Sequence, residues 1–407
     1  MALSDSLDAH GAANTAPSKE WEAGAHIEGD VGTVTTGPVN GPITDWDQIL
    51  LIWNLDPAAF QIDGVPTFKA WDGFAKETDA DGTSHIVSKR LFSYKVNVVR
   101  TTPEMRHVQK TIDRWLKKLN RTQIYRAPSG TGDPVTYVAL VADPQIGKKG
   151  TAQALDNWRR GVLGHARRIA WLLEHGVNVT RVAVAYMGDE HEGVANNYPN
   201  QPFTVELNFS KQIETDFEMR VWTIVTFIEI TGLPVDVFSV ISNHGEWTRN
   251  GSKDVVTTKG DNSSTSVARL VKQMFDKLPQ YDVTWSIAGS NPDIVTDLAG
   301  VRVSFSHGHV AKGRGTSTEQ RVKNAIERQI LARRSLVEVD IYFVAHYHHY
   351  YMQDFEGRTL VGCPALEAEK SSEWMLDQFG VWSPPGMLGI IVGSSLGVRG
   401  WAEPVIF

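Results

Sequence analysis

Apolar, β-rich runs recur along the chain, and each ends in a short polar cluster. TYVALVA precedes Asp143-Pro144-Gln145, RVAVAYM precedes Gly188-Asp189-Glu190, PVDVFSVIS precedes Asn243-His244-Gly245, VRVSFS precedes His307-Gly308-His309, and DIYFVA precedes His346-Tyr347-His348. Short continuous apolar runs bounded by turn residues predict strands buried on both faces. Helical periodicity fills the intervals, with helices expected around Ala154 to Glu174, Val205 to Ile230, Ser264 to Lys277 and Thr318 to Arg334. Strands alternating with helices predict a layered α/β domain that begins near Val135. Towards the C-terminus YYMQDF, RTLVGCPA, LGIIVG and EPVIF follow without long helices between them, so they are expected to be antiparallel pairs completing a second sheet. No internal repeat of fixed period is visible.

The first third of the chain is patterned differently. Residues 1–41 are rich in small and polar residues without a sustained apolar period, which reads as a disordered arm. A small N-terminal module is expected over 42–120. It opens with a helix that Thr44 or Asp45 would cap and whose apolar face holds Trp46, Ile49, Leu50 and Trp53. VPTFKAWDGF and RLFSYKVNVVR continue it, with strand-like alternation near Phe92, Tyr94 and Val96. Two readings of this segment stay open: a core aromatic cluster, or a nucleic-acid surface in which rings stack on bases while Lys69, Lys89, Arg90 and Lys95 meet phosphates. Pro103 to Asn120 has the period of an amphipathic helix with a basic face, and the Pro/Gly/Ser/Thr-rich stretch 121–134 reads as a linker before the main domain, 135–407.

Composition narrows the chemistry. The single cysteine, Cys363, excludes a disulfide framework and a Cys-rich zinc site, so histidines and carboxylates must supply any metal ligands. A net charge of −7 argues against a uniformly basic nucleic-acid coat while leaving room for a local basic groove. The N-terminus has no basic segment followed by an apolar one, and no apolar run approaches the ~20 residues of a membrane span, so a soluble, cytoplasmic protein without membrane contact is expected.

Carboxylate, amide and imidazole groups delivered repeatedly to one sheet edge point to bound metal. The strings DPQ, GDEHE, SNHGE, HGH and AHYH, in that order from Asp143 to His348, resemble the calcineurin-like metallophosphoesterase superfamily, whose pattern is D-x-H, G-D-x-x-D/E, G-N-H-D/E, H-G-H and G-H-x-H. The resemblance implies a two-sheet β-sandwich flanked by helices, a four-layer αββα fold, with a small N-terminal helical or mixed module. It implies two divalent ions: Asp189 bridging them, Asp143, Gln145 and His348 on the first, Asn243, His307 and His346 on the second. A metal-bridging hydroxide would be the nucleophile, and His244 would protonate the leaving oxygen, so His244 and Asp189 are the catalytic candidates.

The chain departs from the pattern in three places. Gln145 stands where most members have His, which points to manganese or magnesium at a looser first site, with zinc and iron(II) as alternatives. Ser242 and Ala345 each replace a Gly, at little cost if their φ is negative. Glu246 lies one residue beyond the family's acidic position, so it is doubtful as a partner of His244. His309, Arg249, Lys312 and Arg314 are candidates for substrate binding, whereas His349 is read as structural. His10, His26, His85, His107, His165 and His175 stand outside the pattern.

What the resemblance implies is a phosphoesterase hydrolysing phosphodiesters. An SbcD-like or phage-type nuclease acting on DNA in repair, recombination or replication is the expected branch, in the host cytoplasm if phage-encoded, with a homodimer or a partner ATPase as conceivable assemblies. A small-nucleotide phosphodiesterase or pyrophosphohydrolase is the alternative enzyme. A scaffold that keeps the fold without turnover is the alternative of another class.

Overall fold

The computed structural model describes residues 21–43, 45–57, 59–78, 84–100, 103–122, 124, 130–194, 198, 201–247, 258–311, 317–332, 336 and 338–407. Two compact units divide between Arg114 and Trp115. In the first, residues assigned to the arm by composition form β1 (Gly24–Glu28), β2 (Val31–Thr35) and β3 (Val39–Asn40). Strands this short lack the apolar alternation that would reveal them; β1 pairs with β2, while β2 and β3 are held by pairing with a long neighbour. That neighbour is β5 (Ser84–Arg100), which also pairs along its length with β4 (Phe60–Thr78). The unit is therefore chiefly a five-stranded sheet with a short helix, α1 (Asp47–Ile52). Ile49 and Leu50 pack with Val34, Tyr94, Val96 and Val98, with Trp53 against them, as the apolar face of the helix predicts, whereas Trp46 of that face is exposed. The proposed cap Thr44 lies outside the described residues. The helix α2 (Pro103–Leu119) spans the division between the units.

The second unit is layered. Its six-stranded sheet runs β16-β15-β6-β7-β8-β9, built from β6 (Val135–Val141), β7 (Val179–Tyr186), β8 (Val235–Ser239), β9 (Val283–Ile287), β15 (Leu388–Val392) and β16 (Trp401–Ile406). Strands β6 to β9 are parallel. A five-stranded sheet runs β10-β11-β12-β14-β13, with β10 (Asp293–Leu298), β11 (Val301–Ser306), β12 (Ile341–Val344), β13 (Tyr351–Phe355) and β14 (Arg358–Gly362).

The two sheets pack face to face through Val138, Leu140, Ala183, Ala185, Phe238, Phe305, Phe343 and Val361. Alternate residues of β6 point the other way, where α3 (Thr151–Glu174), α5 (Phe209–Thr231) and α6 (Ser263–Phe275) cover the larger sheet; a one-turn helix, α4 (Gln201–Thr204), precedes α5. On the outer face of the smaller sheet, Val322 and Ile326 of α7 (Thr318–Ala332) and Met375 of α8 (Glu369–Phe379) pack against Tyr342, Val344 and Leu360. The result is the four-layer αββα sandwich. No helix among the described residues is long and apolar enough to cross a membrane.

Two expectations for the C-terminal third change. Strands β13 and β14 do form an antiparallel pair in the second sheet, but β15 and β16 join the first, with β15 antiparallel to β6. The stretch between β14 and β15 also contains α8, whose eleven residues end at Gly380 in the left-handed region (φ 67°).

His165 shows what a satisfied core histidine looks like here. It is fully buried, with Nε2 2.9 Å from the Met387 carbonyl and Nδ1 2.8 Å from the Tyr137 hydroxyl. A carbonyl only accepts, so Nε2 carries the proton and Nδ1 accepts from Tyr137. Burial lowers its pKa to about 4, against the opposing pull of the Met387 carbonyl. The unfolded ring takes up a proton near pH 6.5 that the folded ring refuses down to about pH 4. Its stabilisation is therefore full above about pH 6.5 and falls by roughly 3 kcal/mol as pH drops to 4. Urea unfolding of wild type and His165→Gln across that range is expected to show the extra slope in the wild type alone; equal slopes would contradict the assignment.

Candidate metal centre

All five polar clusters lie just past the C-terminal ends of parallel strands: β6, β7 and β8 of one sheet, β11 and β12 of the other. Loops at that edge of a parallel sheet are where α/β proteins place their sites. The backbone there is unusual. Asp143 (φ 48°), Gln145 (45°), Asp189 (51°), His346 (71°) and His348 (55°) are all left-handed, a conformation that costs L residues about 1–2 kcal/mol each. Ser242 and Ala345 are not among the positive-φ residues, so their replacement of glycine meets the condition set by the sequence. Gly188 (φ 93°) is needed as glycine, because a Cβ there would stand 2.6 Å from Ser242 Cβ and 2.9 Å from His307 Nδ1.

Carboxylates pin these turns to one another. Asp189 Oδ1 accepts from the His244 amide at 2.9 Å, and Asp143 Oδ2 accepts from the His346 amide at 3.1 Å. One ligand atom from each of Asp189, His307 and His346 lies within 4.8 Å of the others.

The imidazoles reveal what is required at the centre. His307 Nδ1 donates to the Met187 carbonyl (2.9 Å), which leaves Nε2 facing Asp189 Oδ2 and Asn243 Oδ1, each at 3.0 Å. Both of those atoms are acceptors. His348 presents the same problem: Nδ1 is 2.6 Å from Glu367 Oε1 and Nε2 is 3.2 Å from Asp143 Oδ1. Asp143 Oδ1 is buried with no hydrogen-bond donor aligned on it. Each ring must carry a second proton or share its Nε2 lone pair with a cation.

The electrostatics agree. Burial would lower the His307 pKa, but the Asp189 carboxylate outweighs it and lifts it to about 9. Burial is likewise outweighed at His348, where Glu367 and Asp143 lift it to about 10. His346 is held well below its usual value by burial and by His307, so its ring is a neutral donor. Burial raises Asp189, yet the His307 and His244 imidazoles keep it well below the usual carboxylate range. The donor set of carboxylate, amide and imidazole fits divalent ions such as manganese. Asp189, Asn243, His307 and His346 would hold one, and Asp143 with His348 the other.

The remaining candidates fall into place unequally. Gln145 lies beside Asp143, but its Oε1 accepts from Lys148 Nζ at 2.7 Å. His309 sits with its ring 5.4 Å from that of His307. His349 pairs with Glu319 at 3.0 Å. Arg249, Lys312 and Arg314 lie outside the described residues.

Sequence reasoning missed three supports. Glu192 accepts from His244 Nδ1 through its backbone carbonyl (2.7 Å) and sets its buried Oε2 3.5 Å from the same nitrogen, while the Tyr198 hydroxyl donates to its Oε1. Glu367 holds His348. Arg220, fully buried, bonds both oxygens of Asp216 at 2.9 Å, approaches Glu190 Oε2 at 3.2 Å and lies over the Tyr186 ring. Glu190 in turn accepts from the Gly188 amide, so this buried ion network anchors the turn that carries Asp189. Glu190 and Glu192 were visible inside GDEHE, but only their roles in space separate them from ordinary turn residues.

No family model and no curated protein matches the chain. Among solved structures it is similar to zinc-bound Vps29 from Entamoeba histolytica, with 12% identity over 66% of this chain and 98% of that one and a TM-score of 0.29. It is also similar to an archaeal phosphodiesterase (10% identity, 67% and 99% covered, TM-score 0.27) and to the 5'-nucleotidase of Candida albicans (10%, 69% and 52%, 0.30). At those identities and scores the likeness carries no chemical argument, which rests on the residues of this chain.

If cations displace the second protons of His307 and His348, metal binding must release protons. Calorimetric titration with Mn2+ at pH 7 in buffers of different protonation heat is expected to show net proton release, with affinity rising with pH and levelling off above about 9–10. Binding without proton release would contradict this reading of the two imidazoles.

Proposed function

We propose that the chain is a metal-dependent phosphoesterase of the calcineurin-like kind, acting on phosphodiesters. The observation that carries the proposal is the pair of imidazoles, His307 and His348, each with acceptors on both nitrogens, set around Asp189 and Asp143. When bound, two divalent ions would offset phosphate charge and lower the pKa of water far below its bulk value of about 15.7. Manganese is the expected pair, given a donor set in which Asp143, Asp189 and Asn243 supply oxygens beside three imidazoles.

The chain's own groups would do the rest. Asp189 would be the carboxylate shared by the two ligand sets, and its Oδ1 accepts from the His244 backbone amide. His244 donates Nδ1–H to the Glu192 carbonyl, which leaves Nε2 as the nitrogen that would protonate the leaving oxygen. The Glu192 carboxylate beside Nδ1 offsets the charge of the doubly protonated ring. His309, whose ring lies 5.4 Å from that of His307, would contact the phosphate.

DNA is the substrate proposed within this class. Support comes from the β4–β5 ribbon, whose register puts Arg90 on the face of the exposed rings of Phe68 and Phe74 and Lys69 and Lys89 on the opposite face, cations and rings of the kind that meet phosphates and bases. These cations already have partners, Arg90 in an exposed pair with Asp72 and Lys69 over the Trp21 ring among them.

Turnover of single- and double-stranded DNA, cyclic nucleotides and an aryl phosphodiester, with Mn2+ and with chelator, tests both levels. Chelator-sensitive cleavage is expected for the phosphodiesters, with DNA preferred. Activity on the aryl ester without DNA cleavage would remove the nuclease reading and keep the class. His244→Ala is expected to lower turnover of poor leaving groups by about 10²–10⁴-fold with metal content unchanged. Loss of metal in that variant would make His244 a ligand.

A further inference from the structure

The two halves of the centre differ in one charged neighbour. In the turn after β6, Lys148 places Nζ 2.7 Å from Gln145 Oε1 and 2.7 Å from Glu367 Oε2. The other oxygen of Glu367 is 2.6 Å from His348 Nδ1. The site is built: the Lys148 side chain is 21% exposed and that of Glu367 only 2%. One ammonium therefore touches, directly or through Glu367, two of the groups that would form the Asp143 half.

Its effects run in the same direction. An ion drawing on Gln145 Oε1 would share that oxygen with a positive charge roughly 4–5 Å from itself, and like charges at that range repel. A carboxylate on the far nitrogen of a ligating histidine normally strengthens it as a donor. Here Lys148 offsets much of the Glu367 charge, and His348 loses part of that support. The Asp189, Asn243, His307 and His346 half instead has its outer nitrogen contact at a neutral backbone carbonyl, that of Met187.

We propose that Lys148 makes the Asp143–Gln145–His348 half a weak, exchangeable ion site, so that the chain holds one divalent ion firmly and takes the second only as free ion concentration rises. The inference rests on the phosphoesterase reading of the centre. In chemical terms Lys148 is a positioning residue that acts on the ion through Gln145 and Glu367. It would make activity a graded response to the available divalent cation.

Mn2+ binding to the full chain, followed by calorimetry and by the electron paramagnetic resonance signal of free Mn2+, tests this without recourse to turnover. Two binding steps are expected, with dissociation constants at least 30-fold apart. Lys148→Met is expected to tighten the weaker step at least tenfold while moving the stronger one less than threefold, and Lys148→Arg to restore the gap. Gln145→His, which gives the weak half an imidazole, should also narrow it, and serves if Lys148→Met fails to fold. Two equal steps in the wild type, a gap unchanged in folded Lys148→Met, or, where that variant fails to fold, a gap unchanged in Gln145→His, would overturn the proposal with the phosphoesterase reading intact. A chain that binds no divalent ion would overturn both.

Discussion

Two buried imidazoles with oxygen acceptors on both nitrogens are the constraint on which the site depends. A neutral ring has one donor and one acceptor, so the surroundings of His307 and His348 cannot be satisfied by neutral histidines. His165, equally buried, is satisfied by one carbonyl and one hydroxyl, and its pKa moves the opposite way. Sequence, packing and electrostatics thus separate two kinds of histidine within one domain. The kind at the strand ends demands positive charge.

Holding that arrangement costs stability that other parts of the fold supply. Five ligand candidates sit in left-handed backbone, and an arginine, two carboxylates and His191 are buried just behind Asp189. A complete buried ion network is often no more stabilising than apolar residues of the same size, but removing one member typically costs about 3–5 kcal/mol. Arg220 spaces Asp216 one turn away on α5 and reaches Glu190 on the β7 loop, so it ties a helix to the turn bearing Asp189. Rigidity there keeps both ligand sets in register.

The sandwich was legible because parallel strands buried on both faces read as unbroken apolar runs; VTYVALV is buried throughout. Edge strands were harder. VTWSI and DIVTDL are half polar and only partly buried, and the short β1 to β3 look like coil until β5 pairs with β2 and β3, and β2 with β1. At the centre, the ligand candidates were visible because they follow strands in a recognisable order. Their supports were not. Glu367 lies 19 residues beyond His348 and Lys148 reaches across 219 residues to Glu367, contacts that only the folded chain creates. Gln145 shows the limit most clearly: its substitution for His was visible, whereas the ammonium on its amide oxygen was not.

The central claim is that this ring of side chains binds a pair of divalent ions, and anomalous diffraction from crystals soaked in saturating Mn2+ tests it most directly. Two peaks are expected about 3.5–4 Å apart, one among Asp189, Asn243, His307 and His346, the other beside Asp143 and His348. Well-occupied manganese elsewhere in the molecule, with no peak inside the ring, would contradict the account.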